Sequence, residues 1–362
     1  MIASATPLQI LLDVLLYFTG LIILFPCLRN NGNRETLTLG TFLALLFFLF
    51  PYWGGDYFNY KEYFELVKSH NDTPLEDIYV TIINISPSYT IFRLIIWGSA
   101  LFLLRSLFDL NDRPALLMSI FYILFIPVFS YTRVSLSMSL IFLGGFLINS
   151  KNNFQKKILG LVLVGTSYLF HRTAVFGIAV VLLATLFREI GKKGLIVFIC
   201  ILPLILSAIK YLLGNLMVFD LSDNLSDLAM HGDSYLQYDT RVKGPGEIVE
   251  GILSKVAYYI CLLLVIKDIW KGDFQTMPKV IKYNSVCLFL IVVVSSLFLI
   301  DMGVNTSIFY YRFLNFATIP TVIYLSWKIN NKGFKGAEKL AVVLGCASAS
   351  YSLIYAFYGS FF

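Results

Sequence analysis

Charge is scarce in this sequence: Asp, Glu, Lys and Arg together make up 14% of its 362 residues, against 58% hydrophobic ones. A soluble core cannot use that much apolar surface, so a soluble globular domain is excluded and the chain reads as a membrane protein. Strict apolar/polar alternation is missing from the long apolar runs, which excludes a transmembrane β-barrel. Asp-x-Asp, Glu-x-Asp and His-Glu-x-x-His motifs do not occur, and the acids Asp220, Asp223 and Asp227 stand in a loop-like stretch. Metal-dependent chemistry is therefore not expected. With no P-loop, energy has to come from the substrate or from an ion gradient. The first apolar stretch lacks a basic leader and a small-residue cleavage site, so it is expected to stay as the first helix. Cysteine is sparse, and Cys27, Cys200, Cys261, Cys287 and Cys346 lie far apart inside apolar segments, as reduced packing residues do.

What the sequence does have is a regular succession of apolar runs. Crossing a hydrocarbon layer of about 30 Å takes roughly 20 apolar residues, and 8–28, 195–213 and 283–300 meet or approach that length. Lys and Arg cluster at 29–34, 105–113, 151–157, 188–193, 267–282 and 328–339, which together hold 18 of the 28 cationic residues. Placing all six clusters on the cytoplasmic side gives about twelve spans, with both termini outside. They lie near 8–28, 37–53, 89–104, 114–130, 134–149, 157–170, 173–187, 195–213, 251–266, 283–300, 313–327 and 340–358. The expectation is one all-α polytopic membrane domain over 1–362 with two larger outer loops, 54–88 and 214–250. These loops carry 13 of the 22 acidic residues. The second is long enough to be a lid or a substrate-contacting segment, although a plain solvated loop fits as well. The net charge of +6 belongs to this topology and implies no nucleic acid.

Two hairpins are short. The run 158–187 is interrupted only by His171-Arg172, and the run 114–149 by Arg133. A limb such as 158–170 reaches only about 20 Å at about 1.5 Å per residue. Its apex is expected below the outer membrane surface, in a cavity walled by other helices. A cation at membrane depth costs about 2.5 to 3.5 kcal/mol, so Arg93, Arg133, Arg172 and Arg312 call for an anion or water. Four such sites on one side suggest a common anion, and the planar guanidinium fork suits phosphate oxygens. The plainer reading of each is an arginine that snorkels to the interface. His171 adds a group that titrates near neutral pH, beside Arg172, which disfavours the imidazolium and leaves the ring available as a base. A histidine merely hydrogen-bonded at a turn is the alternative. Asp56, within Tyr52-Trp53-Gly54-Gly55-Asp56-Tyr57-Phe58-Asn59-Tyr60, places a carboxylate among aromatics suited to stacking on sugars or to the interfacial belt.

The order of these motifs resembles the EpsG-like branch of the Wzy O-antigen and exopolysaccharide polymerases. The resemblance rests on Gly55-Asp56-Tyr57 with Tyr60, Pro87-Ser88-Tyr89, Tyr131-Thr132-Arg133, Phe170-His171-Arg172-Thr173-Ala174 and Tyr310-Tyr311-Arg312-Phe313. It covers most of the chain. Arg133-Val134 and Ser86-Pro87-Ser88-Tyr89 stand where the family often has Arg-Gln and Glu-Pro-Gly-Tyr. The resemblance implies a glycosyltransferase of the GT-C type in the bacterial inner membrane, with its active site facing the periplasm. Its donor and acceptor would be undecaprenyl-diphosphate-linked oligosaccharides, and the growing glycan would pass to a lipid-linked repeat unit of a lipopolysaccharide O-antigen or other surface polysaccharide. Within that chemistry Arg133, Arg172 and Arg312 would neutralise the leaving diphosphate with no cofactor, and His171 or Asp56 would be the base. Arg93, Tyr57, Tyr60, Tyr89, Tyr131, Tyr310 and Tyr311 would bind substrate. A chain-length regulator and a flippase are the implied partners. Rival readings are a lipid-oligosaccharide flippase or transporter, and another extracytoplasmic transferase such as an O-antigen ligase or an acyltransferase. The one-sided charges and the absence of an internal repeat weigh against transport.

Overall fold

The structure, a computed structural model, describes residues 7–29, 34–49, 55–71, 73, 75–126, 132–150, 153–171, 173–197, 201, 255–301 and 313–359. The described residues are helical and contain no strand. In chain order the principal helices are α1 (Pro7–Leu24), α2 (Arg34–Leu49), α3 (Gly55–Lys68), α4 (Asp77–Ile85), α5 (Tyr89–Asp109), α6 (Pro114–Phe125) and α7 (Thr132–Asn149). They continue with α8 (Phe154–Phe170), α9 (Ala174–Phe187), α10 (Val256–Lys271), α11 (Lys279–Asp301), α12 (Thr318–Lys332) and α13 (Gly336–Gly359). Leu11–Leu28, Tyr89–Asp109 and Lys279–Ser296 are long and apolar enough to cross a membrane. The stretch 195–213 beyond Val197 and the loop 214–250 lie outside the described residues, Ile201 apart. Cys27, Cys261, Cys287 and Cys346 are free thiols.

Helix α6 is the centre. Ala115 to Phe125 are all buried, as an all-round apolar helix must be when other helices surround it. It is tied to α1 by a reciprocal pair of hydrogen bonds: Tyr17 donates to the Ile123 carbonyl (2.6 Å) and Tyr122 to the Leu16 carbonyl (2.9 Å). The two rings stack with centroids 6.1 Å apart. Helices α8 and α9 instead leave Leu159, Leu161, Val162, Leu182, Leu183 and Leu186 exposed, the surface expected toward lipid tails. They have 17 and 14 residues, and at about 1.5 Å per residue run about 25 and 21 Å, so both limbs of this hairpin are short for a bilayer.

Gly144 and Gly160 let two helices pack closely. A Cβ on Gly144 would lie 2.6 Å from the Gly160 carbonyl oxygen, and one on Gly160 would lie 2.6 Å from the Gly144 carbonyl oxygen. Helices α7 and α8 thus meet backbone to backbone, the small-residue contact by which membrane helices gain packing. Gly144→Leu is expected to force them apart and to destabilise the protein by about 1–3 kcal/mol or more. The folded fraction surviving a heat ramp in detergent, followed by size-exclusion, checks this. Gly165→Ala is the control, because a Cβ there meets nothing within 4 Å.

The basic segments gather at one end. Arg105 donates to Thr38 (3.1 Å) and Arg34 approaches Asp109 at 4.0 Å, linking 29–34 with 105–113. Arg188 donates to Asn149 (2.6 Å), Lys282 to Glu189 (3.0 Å), and the Lys192 ammonium lies 3.6 Å from the centroid of Trp270. At the ends of α10 and α12, Lys328 forms an ion pair with Asp268, which also accepts from Tyr324 (2.7 Å). Both charged side chains are 2% exposed. The sequence reads the whole 328–339 cluster as loop charge, yet Lys328 is an internal counter-ion.

Candidate active site

The other end of the bundle carries the chemistry-bearing motifs. Helix α8 starts beside the basic segment 151–157, so its last residue, Phe170, and the cap His171 lie at the opposite end. His171 adopts an extended backbone that stops α8. Its N–H still donates to the Ser167 carbonyl (3.3 Å), and its own carbonyl accepts from Ala174 (2.9 Å), closing a tight turn into α9. The ring is inside the protein, with the side chain 10% exposed.

Above this turn sits a roof. Within the stretch 54–88, which the sequence gives as a long loop, the chain forms α3 and α4. Together they bury a small separate core of Tyr60, Phe64, Val67, Leu75, Tyr79 and Ile83 against Phe92 and Ile96 of α5 and Leu136 and Leu140 of α7. The Tyr79 ring meets Phe170 edge-on at 6.0 Å, fixing α4 over the end of α8. Glu76 caps α4 with its backbone carbonyl, which accepts from Tyr79 (2.8 Å), while its side chain makes no cap hydrogen bond. The carboxylate is turned toward His171 instead, with Oε1 3.4 Å from Nδ1. Its side chain is 14% exposed.

Sequence reasoning passes over Glu76 because it counts as one acid among many in an acidic loop. The local signal was present: Leu75, Tyr79 and Ile83 recur every four residues, the spacing of one helix face, and Glu76, Tyr79 and Ile83 share a face at i, i+3 and i+7.

The remaining candidates separate into three groups. Arg93 is buried and donates to the carbonyls of Phe48 and Leu49 (2.9 Å to the latter). It thereby satisfies carbonyls that α2 leaves open at its C-terminus, a need that is acute where no water reaches. Its guanidinium also lies 5.9 Å from the Tyr89 ring centroid. Tyr60 is buried in the roof core, and Tyr89 packs on Phe64 (5.8 Å) and Phe92 (6.1 Å). Arg93, Tyr60 and Tyr89 thus each have partners within the fold. Of Asp56, Tyr57 and Arg133 only the backbone is described, in the first turns of α3 and α7. Arg172, Arg312, Tyr131, Tyr310 and Tyr311 lie outside the described residues.

Described residues next to two of these motifs lie close together. Phe313, which follows Arg312 in sequence, has its ring 5.6 Å from Phe176 in the first turn of α9. A Cβ on Gly177 would lie 2.8 Å from Phe316. The turn carrying His171-Arg172 and the segment that follows Tyr310-Tyr311-Arg312 are thus adjacent. Lys255 is a further buried cation there, at the head of α10, donating to Asn315 (3.2 Å) beside a Tyr258–Thr318 hydrogen bond of 2.8 Å. Sequence reasoning passes over it, although it falls inside the apolar span read at 251–266. Among the described residues no three His, Cys, Asp or Glu side chains assemble as a possible metal site.

Residues 33–361 match the sequence pattern of the EpsG family. The chain belongs to the EpsG family. The EpsG family comprises Wzy-like, polymerase-related membrane proteins, and the motifs gathered around His171 and Phe313 fall inside the matched span. This EpsG-family chain matches no curated protein and no solved structure. Membership and the apolar helices together mark a membrane protein of polysaccharide biosynthesis.

Proposed function

We propose that this chain is a surface-polysaccharide polymerase that lengthens an O-antigen or related glycan on undecaprenyl diphosphate at the periplasmic face of the bacterial inner membrane. On the reading of about twelve spans with both termini outside, the His171 end of the bundle faces the periplasm, because the six basic segments take the cytoplasmic side. The observation that supports this reading most is the enclosed His171–Glu76 pair at the end of the bundle opposite the basic segments.

In the reaction, the sugar hydroxyl of the incoming lipid-linked repeat unit gives its proton to His171 Nε2 as its oxygen attacks the anomeric carbon of the growing chain. The bond from that carbon to the diphosphate oxygen breaks, and the electron pair leaves with undecaprenyl diphosphate. Arg133, Arg172 and Arg312 stabilise the negative charge that collects on the leaving group, the part a divalent ion plays in other transferases. Asp56 is the second candidate for the base. Tyr57, Tyr131, Tyr310 and Tyr311 are placed by sequence to hold sugar or phosphate.

Purified protein given lipid-diphosphate-linked repeat units, with chelator and without nucleotide, is expected to build a ladder of polymer visible on a gel. Failure of the ladder under chelator and its return with a divalent ion would overturn the metal-free mechanism. Movement of the lipid-linked unit across a vesicle membrane with no elongation would identify a flippase.

A further inference from the structure

The roof helix α4 brings into contact with His171 a carboxylate that the reaction above does not use. Glu76 stands 95 residues away in sequence, its side chain declines the ordinary task of capping its own helix, and Oε1 approaches Nδ1 of the buried imidazole at 3.4 Å. Two packing contacts hold the pair in register from either side: Tyr79 against Phe170 on α8, and Leu75 within the roof core. A neutral imidazole carries one proton and can place it on either nitrogen. A carboxylate at Nδ1 takes the N–H there and leaves Nε2 with its lone pair, the form a base must have. The same negative charge offsets the imidazolium that forms when the acceptor hydroxyl is deprotonated. The 3.4 Å separation is longer than an ordinary hydrogen bond, and catalytic hydrogen bonds often shorten only when substrate binds.

We infer that Glu76 is the positioning residue for His171, and that the roof of α3 and α4 is thereby a working part of the active site. This inference rests on the reading of His171 as the base of a glycan polymerase. Glu76 touches no reacting atom and acts through the ring. Proton transfer then runs in one direction: the acceptor O–H bond breaks, the Nε2–H bond forms, and the Nδ1 proton stays between nitrogen and carboxylate.

The test is a double-mutant cycle on the full-length protein in detergent, with lipid-diphosphate-linked repeat units as substrate and chain elongation as the readout. Glu76→Gln keeps the shape and the hydrogen-bonding oxygen but loses the charge. It is expected to lower kcat about 10- to 100-fold, the usual loss for an orienting partner, with KM for the lipid-linked substrate within about twofold. Glu76→Asp, which keeps the charge on a shorter arm, is expected to recover part of that rate. In a His171→Ala background Glu76→Gln is expected to cost nothing further, because a residue that works through the ring has nothing left to act on.

Wild-type kcat in Glu76→Gln, or losses that multiply in the double variant, would overturn the inference and leave the pair a structural latch. Should Glu76→Gln fail to accumulate in the membrane, the same cycle run with Glu76→Asp decides by the same criterion. A wild-type protein that builds no ladder, or a His171→Ala variant as active as wild type, would overturn the polymerase or base reading itself. Both are seen before any Glu76 variant is made.

Discussion

Replacing His171 by alanine or by asparagine is expected to stop chain growth, lowering the elongation rate by about 10²- to 10⁴-fold, the contribution typical of a positioned general base. Both variants are expected in the membrane at wild-type amounts. The roof is anchored by Tyr79 on Phe170, by Tyr60 and Phe64 in the small core, and by Ile83 against α5, none of which needs the imidazole. Asparagine is the informative replacement. It retains a hydrogen-bonding group in reach of Glu76 and so preserves the turn between α8 and α9, yet cannot take up a proton near neutral pH. Cells carrying it should display surface glycan one repeat unit long, read as a single band in place of a ladder. A ladder of normal length from the asparagine variant would pass the role of base to Asp56, whose own alanine variant would then be the inactive one.

The second large effect concerns the arginines. Arg133→Ala, Arg172→Ala and Arg312→Ala are each expected to cost about 10²- to 10³-fold in elongation, the loss seen when one group stabilising a developing oxyanion is removed. The corresponding lysine variants should fall between, since an ammonium supplies charge without the two-pronged donor geometry that grips two phosphate oxygens. Their neighbourhood is what makes the expectation specific. Arg172 follows His171 directly, Arg312 precedes Phe313, whose ring lies 5.6 Å from Phe176, and Arg133 stands in the first turn of α7, which helps to bury the roof core. Arg93→Ala is the contrasting case. It exposes carbonyls at the end of α2, so it should reduce the amount of folded protein in the membrane far more than the rate per folded molecule. Normal ladders from the alanine variants of Arg133, Arg172 and Arg312 alike would sink the idea of a protein-borne counter-charge for the diphosphate.

The properties legible in the sequence were those that repeat along it. Apolar runs and basic clusters alternate, so the helices and the gathering of basic segments at one end could be read directly, and Arg105 on Thr38 and Lys282 on Glu189 now give that end its contacts. Motif order identified the family for the same reason. Illegible features were those made by pairs distant in sequence. His171 could be named but Glu76 could not, because nothing between residues 76 and 171 signals that α4 folds back over α8. Arg93 is read as calling for an anion or water on grounds of charge and depth, and two backbone carbonyls of α2 are among the partners the fold gives it. Lys328 is read with the loop charges, because nothing in the sequence signals that Asp268, 60 residues earlier, lies against it.

That last pair bears on how the protein is made. Asp268 emerges from the ribosome 60 residues ahead of the lysine that neutralises it, and its partners Tyr324 and Lys328 arrive together on α12. Separating such a pair costs about 3–5 kcal/mol. The pair can close only when α12 docks on α10, so this one contact ties the late helix to the earlier one and makes the last part of the chain a condition for a neutral interior.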